Sequence, residues 1–214
     1  MKRIVIQEGN HMIGKKLAAV ALSAVLVLSS GIMAFADTTS WDSGNVYPSD
    51  VLNTKLLTPV KFLIDKKVVT GDQDGLFHPE KSITRAEFAT MMAKATNNTN
   101  ELDIVAKQNY YNDLAGYDWA KGYINACAKA SLIQGVGNEK FAPGKNVSYA
   151  EVITIIIRSK NPSAVTTGTW PDNYILYAQM NMNSMISDRN ISDWSAPATK
   201  GDVATMLYRS MPKN

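Results

Sequence analysis

Thr84-Arg85-Ala86-Glu87-Phe88-Ala89-Thr90-Met91-Met92 is the stretch on which the fold turns. A hydroxyl residue followed three places later by a carboxylate is a capping box, the reciprocal hydrogen-bonding pattern that opens a helix. Phe88, Met91 and Met92 stand four, seven and eight places past Thr84, which puts them on one helical face. The pattern returns at Ser148-Tyr149-Ala150-Glu151, followed by Val152, Ile155 and Ile156, and at Thr199-Lys200-Gly201-Asp202, followed by Val203, Met206 and Leu207. Ten places past each hydroxyl comes a basic residue, Lys94, Arg158 or Arg209, near a helix end where the helix dipole favours positive charge.

Upstream the repeat continues with gaps. Gly71 and Phe77 precede Thr84 by thirteen and seven residues, and Gly135 and Phe141 precede Ser148 by the same spacings. Phe77-His78-Pro79 matches Phe141-Ala142-Pro143, while the third copy offers Trp194 and Pro197 instead. A second register aligns Trp119 and Tyr123-Ile124 with Trp170 and Tyr174-Ile175. Periods of this size mark stacked supersecondary units, none of which buries its apolar face alone.

Val69-Thr70-Gly71-Asp72-Gln73-Asp74-Gly75-Leu76-Phe77-His78-Pro79, followed by Ile83-Thr84-Arg85-Ala86-Glu87-Phe88, resembles the S-layer homology motif. That family's signature is a Gly, an aromatic-x-Pro turn and a Thr-Arg-Ala-Glu helix start. The second copy departs from it with Tyr149 in place of Arg, and the third is divergent at Thr199-Lys200-Gly201-Asp202. Over residues 45 to 214 the resemblance implies a three-motif module with pseudo-threefold symmetry. It also implies that this module binds a secondary polysaccharide of the bacterial cell wall carrying ketal-linked pyruvate.

The N-terminus reads as an export signal: Lys15-Lys16, an apolar run from Leu17 to Leu28, then the cleavage site Ala34-Phe35-Ala36. The run is shorter than the roughly 20 residues of a membrane span. Residues 1–36 are therefore expected to be removed, with the true start at Met12. A flexible lead-in is expected over 37–47 and the repeat domain over 48–214, with repeats at about 48–96, 110–160 and 170–214. Removing 1–36 cancels the formal net charge of +3. A balanced chain without a basic stripe argues against nucleic-acid binding, and any acidic ligand must be held by local residues. The lone Cys127 can make no internal disulfide and reads as a small core residue.

The fold class is all-α, with six main helices in three sequential pairs. The first helix is expected to start near Thr58-Pro59, a hydroxyl cap followed by proline, and the others near Arg85, Asp118, Tyr149, Pro171 and Lys200. Gly71 to Gly75 and Gly135 to Asn138 read as turns between paired helices. Thr96 to Glu101 and Asn161 to Thr169 read as loops between repeats. Nothing beyond the repeats is long enough for a separate effector domain.

Arg85 is the sharpest candidate for ligand contact, since free N–H groups at a helix start and a guanidinium fork both suit a carboxylate. Lys200 occupies the same place as a point charge, and Tyr149 brings no charge there. Trp119 and Trp170 open equivalent helices; they read either as core anchors or, given the resemblance to a sugar-binding family, as groove lining. Thr84, Glu87, Ser148, Glu151, Thr199 and Asp202 have capping roles. That role, and their separation in different repeats, argues against a glycosidase carboxylate pair. Asp72-Gln73-Asp74-Gly75 falls short of a calcium loop, with Ile83 where a ligating glutamate would be needed. His78 has no partners for a zinc site. No catalytic residue, metal or cofactor is implied. The expected function is non-catalytic attachment to pyruvylated wall polysaccharide at the cell surface, with no integral span after signal cleavage. The alternative is a structural or adaptor protein of the envelope that binds another protein.

Overall fold

The structure is a computed structural model that describes residues 47–186, 188 and 191–213. The expected signal, its cleavage site and the lead-in up to residue 46 lie outside the described residues. The elements are a short 3-10 turn at Ser49–Val51 and the helices α1 (Leu57–Asp65), α2 (Arg85–Ala95), α3 (Leu102–Ala106), α4 (Asp118–Lys129), α5 (Tyr149–Lys160), α6 (Asp172–Asn181), α7 (Asn183–Ile186) and α8 (Lys200–Ser210). No strand or sheet occurs among the described residues, so the chain is all-α. No described helix is long and apolar enough to cross a membrane.

The three expected helix starts are the starts of α2, α5 and α8. Thr84 and Ser148 stand in extended conformation and form complete capping boxes with Glu87 and Glu151. In the first, Glu87 Oε2 accepts from Thr84 N at 2.7 Å while Thr84 Oγ1 accepts from Glu87 N at 3.3 Å. At the third start Thr199 Oγ1 accepts from Asp202 N at 3.2 Å. The Asp202 carboxylate is one methylene shorter than Glu, and its Oδ2 accepts from Tyr149 Oη at 2.5 Å. The first helix starts near the expected Thr58-Pro59, at Leu57, but Thr58 is not its cap: the cap position is Leu56, with no side-chain hydrogen bond. Two short helices are absent from the sequence reading: α3, between the first and second repeats, and α7, inside the third. α3 has no side-chain cap to signal it, and α7 is only four residues long. Asn125 secures α3 from α4, its Nδ2 donating to the carbonyls of Val105 and Gln108 at 2.8 and 3.0 Å. Gly122 on α4 permits the close approach, since a Cβ there would lie 3.1 Å from the Leu102 carbonyl.

The expected pairing of helices adjacent in sequence is replaced by a cyclic one. The capped helix of each copy packs on the first helix of the next: α2 on α4, α5 on α6, and α8 back on α1. The backbone repeats this order. The first two N–H groups of α2, on Arg85 and Ala86, donate to the carbonyls of Lys145 and Pro143. Those of α5, on Tyr149 and Ala150, donate to Ala196 and Trp194, and those of α8, on Lys200 and Gly201, donate to Lys81 and Pro79. Each acceptor pair stands five and three residues before its own capping hydroxyl. One residue before those hydroxyls the cycle closes: Ile83 N donates to Ala198 O at 3.1 Å, Ala198 N to Val147 O at 2.9 Å and Val147 N to Ile83 O at 3.0 Å. Helix starts normally leave their first N–H groups without an intrahelical partner. Here the next copy supplies the carbonyls.

Phe88, Met91, Met92, Val152, Ile155, Ile156, Val203, Met206 and Leu207 all join one continuous core. Phe77 and Phe141, the aromatics of the two Phe-x-Pro turns, are completely buried in it. Burial of side chains this size contributes about 1.5–3 kcal/mol each. Cys127 on α4 is also buried, and its thiol donates to the Ala89 carbonyl of α2 at 3.3 Å.

Candidate ligand-binding junctions

Each junction between copies is bridged by the residue just after the capping hydroxyl. Arg85 reaches from the first copy into the second. Its Nε donates to Phe141 O at 2.9 Å, Nη2 to Gln134 O at 2.8 Å and Nη1 to Glu151 Oε1 at 2.7 Å. The guanidinium lies 4.7 Å from the centre of the Phe141 ring, and only 4 % of Arg85 is exposed. The sequence reading set Arg85 beside free N–H groups on an open helix start. Instead those N–H groups are bonded to the next copy, and the side chain is sunk between copies as a tie.

Lys200 reaches from the third copy into the first. Its Nζ lies 2.7 Å from Asp72 Oδ1 and 5.0 Å from the centre of the Phe77 ring. Its side chain is 13 % exposed, and that of Asp72 is 26 % exposed. Tyr149 reaches from the second copy into the third, where its hydroxyl meets Asp202. Burial first, and the Asp202 carboxylate second, hold the Tyr149 phenol above its ordinary value. Beside this contact is a cleft of about 240 Å³ whose described walls include Tyr149, Asp188, Asp193 and Asp202.

Two aspartates that the sequence reading passed over support the turns at these junctions. The Asp50 carboxylate accepts from Phe77 N and His78 N at 2.9 and 2.7 Å. Asp113 accepts from Phe141 N and Ala142 N at 2.9 and 2.8 Å. His78 and Ala142 both have positive φ, 54° and 57°, a left-handed conformation that costs energy for residues with a Cβ. The paired carboxylate bonds hold that turn shape. A signal was present, since Asp50 and Asp113 precede the aromatic of the Phe-x-Pro turn by nearly equal distances. In the acidic turn after Gly71, Asp74 is engaged locally: it accepts from Leu76 N at 3.0 Å and lies 2.7 Å from His78 Nε2.

The two tryptophans are not equivalent. Trp119 lies within the first turn of α4, half-buried, its ring 6.4 Å from that of Tyr117. Trp170 stands two residues before α6, after which comes a cis bond to Pro171. It is 51 % exposed, with its indole N–H donating to the buried Thr154 Oγ1 at 3.0 Å. The N–H edge of the ring is thereby anchored while half of the residue stays exposed. The basic residues ten places past the hydroxyls also work across junctions. Lys94 lies 5.5 Å from the Tyr123 ring, and Arg158 lies 5.3 Å from the Tyr174 ring while its Nε bonds the Tyr174 hydroxyl at 3.1 Å. Arg209 pairs with Asp188 instead.

Residues 49–89 and 110–153 match the S-layer homology domain. These segments contain the first two capping boxes. Over 197 residues, 92 % of this chain, it is 29 % identical to the middle cell wall protein of Brevibacillus brevis. It is 28 % identical over 195 residues to the surface layer protein of Brevibacillus choshinensis, covering 90 % of this chain. A shorter match, 33 % over 101 residues and 47 % of this chain, is to the cellulosome-anchoring protein of Acetivibrio thermocellus. The chain spans about a fifth of the length of these relatives, 18 %, 17 % and 22 % respectively.

Proposed function

We propose that this chain is a non-catalytic S-layer homology module that works at the bacterial cell surface, holding to a secondary cell-wall polysaccharide that bears ketal-linked pyruvate. The observation that carries this reading is the pair of segments matching the S-layer homology domain; their two helix starts form cyclic junctions with that of α8, and a basic side chain stands at two of the three starts, Arg85 and Lys200. Relatives named for the cell wall, the surface layer and cellulosome anchoring support it. The third copy, in this reading, is a diverged repeat, and the three are related by an approximate threefold axis.

A sugar carrying a carboxylate needs a cation and an apolar platform. Of the two basic helix-start residues, Lys200 is the better suited to a soluble acid, being more exposed than Arg85 and held by one carboxylate rather than by three acceptors. Arg85 shapes its junction and supplies fixed positive charge under it. Tyr149 brings no charge to the remaining helix start, which makes that junction the weakest for an acidic sugar. The half-exposed Trp170 suits stacking on a sugar ring, with its N–H anchored on Thr154; Trp119, beside Tyr117, offers a more enclosed aromatic of the same kind. Glu87 and Glu151 are occupied as caps, and Glu151 also pairs with Arg85, which fits binding rather than hydrolysis.

Calorimetry with purified secondary polymer, before and after chemical removal of its pyruvate, tests this reading. The expected result is saturable binding of the pyruvylated polymer and a loss of at least about tenfold in affinity without pyruvate, the scale of one charge-assisted contact. Equal affinity for the two polymers would exclude the pyruvate from recognition.

A further inference from the structure

The carboxylate facing Lys200 comes from the protein itself. Asp72 closes its turn through its backbone: its N–H donates to Leu76 O at 2.7 Å and its carbonyl accepts from Gly75 N at 2.9 Å. Its side chain is left to face Lys200 Nζ at 2.7 Å and His78 Nε2 at 3.9 Å. The acids at the other junctions are differently engaged. Glu151 uses Oε1 for Arg85 and Oε2 for Ser148 N, at 2.7 and 2.8 Å, so it cannot leave the cation without weakening a helix cap. Asp202 accepts from the Tyr149 phenol and lies in the first turn of α8, its N–H donating to the capping Thr199. Asp72 thus combines a helix-start cation partner with freedom from capping duty.

We infer that Asp72 is a specificity-determining residue, an internal carboxylate that occupies the Lys200 ammonium a ligand's carboxylate would use. The inference rests on the wall-binding reading given above. An acid attached to the same molecule competes at a high effective concentration. A small free carboxylate therefore does not displace it. A carboxylate carried on a sugar does, because ring contacts add to the charge interaction and because the displaced Asp72, 26 % exposed, turns into water. Asp72 thereby screens out simple organic acids and admits acidic saccharide.

The test uses calorimetry on the full chain with a methyl hexoside bearing ketal-linked pyruvate, the same hexoside without it, and pyruvate alone. Wild type is compared with Asp72→Asn, Asp72→Ser and Lys200→Gln, and thermal melting establishes that each variant is folded. The expected result is about fivefold tighter binding of the pyruvylated hexoside by both Asp72 variants, the scale of losing one partly screened competitor. Pyruvate alone gains measurable binding, the plain hexoside is unchanged, and Lys200→Gln no longer distinguishes the two hexosides. Unchanged or weaker binding by folded Asp72 variants, with wild type binding the pyruvylated hexoside, overturns the role of Asp72 and leaves the wall-binding reading intact. Failure of every form to bind either the pyruvylated hexoside or purified wall polymer overturns both.

Discussion

Arg85 Nη1 and Glu151 Oε1, 66 residues apart in sequence, lie 2.7 Å apart between the first and second copies. The contact joins a helix-start residue of one repeat to the capping acid of the next, so the cap and the junction share one carboxylate. Removing the arginine would leave that acid, 19 % exposed, without its cation and two carbonyls without donors. Breaking a buried pair by deleting one partner costs about 3–5 kcal/mol. Arg85→Ala is therefore expected to lower stability by about that much in urea denaturation. Arg85→Lys should recover only part of it, because one ammonium lacks the planar fork that serves separated acceptors. A loss under about 1 kcal/mol, the scale of an exposed pair, would contradict the role of Arg85 as an inter-repeat tie.

The core and the caps should rank differently. Phe88 is 1 % exposed, and truncation of such a side chain costs about 3–5 kcal/mol. Thr84 supplies a cap whose loss costs about 1 kcal/mol. Chemical denaturation of Phe88→Ala and Thr84→Ala should therefore show the phenylalanine variant as the weaker by at least about 2 kcal/mol, the difference of those ranges.

Gly135 should tolerate no side chain. A Cβ there would stand 2.5 Å from the Lys140 carbonyl and 2.6 Å from the Tyr111 ring. The backbone would have to move, and Gly135→Ala should cost about 1–3 kcal/mol, the range for overpacking. A thermal melt indistinguishable from wild type would contradict the close approach.

These expectations draw on information of two kinds. The starts of α2, α5 and α8 were legible because the capping chemistry is local: a hydroxyl and an acid three residues apart, followed by apolar residues at helical spacing. The same spacing identified Phe88, Val152 and Val203 as core. The short helix α3 has no side-chain cap to announce it and α7 is only four residues long, while α1 begins next to the expected Thr58-Pro59 but without a side-chain cap. The cyclic packing was illegible for a different reason. Arg85 meets Gln134, Phe141 and Glu151 only because the copies close on one another, and sequence adjacency favours α1 with α2 over the observed α8 with α1. The candidate site residues were identifiable as a repeated position, but the depth to which Arg85 is sunk depends on what the next copy brings.

Cys127 should be unreactive in the folded protein. Burial pushes its thiol up to about 12, far from the thiolate form that attacks disulfides. A thiol-reactive disulfide reagent at pH 8 should modify Cys127 only as fast as the protein unfolds, and at once in denaturant. Immediate stoichiometric modification of the native protein would show that α2 and α4 do not enclose it.

Alkaline pH should loosen the junction between the second and third copies. Burial and the Asp202 carboxylate raise the Tyr149 phenol above its ordinary value of 10.0, so the folded state holds the proton more tightly than the unfolded one. That contribution to stability is full below about pH 10 and is lost as pH rises through the folded value. Tyr111, raised first by burial, acts in the same direction. Stability measured by denaturant should fall above pH 10, and Tyr149→Phe should show a shallower fall than wild type. An identical slope would mean that Tyr149 takes no part in the alkaline transition.

The central claim is that this chain holds to a polymer of the cell wall, and co-sedimentation with purified bacterial walls addresses it most directly. The protein should pellet with intact walls and remain in the supernatant once the secondary polysaccharide has been stripped from the same walls. Equal recovery in the pellet with intact and stripped walls, or no recovery with either, would contradict the account.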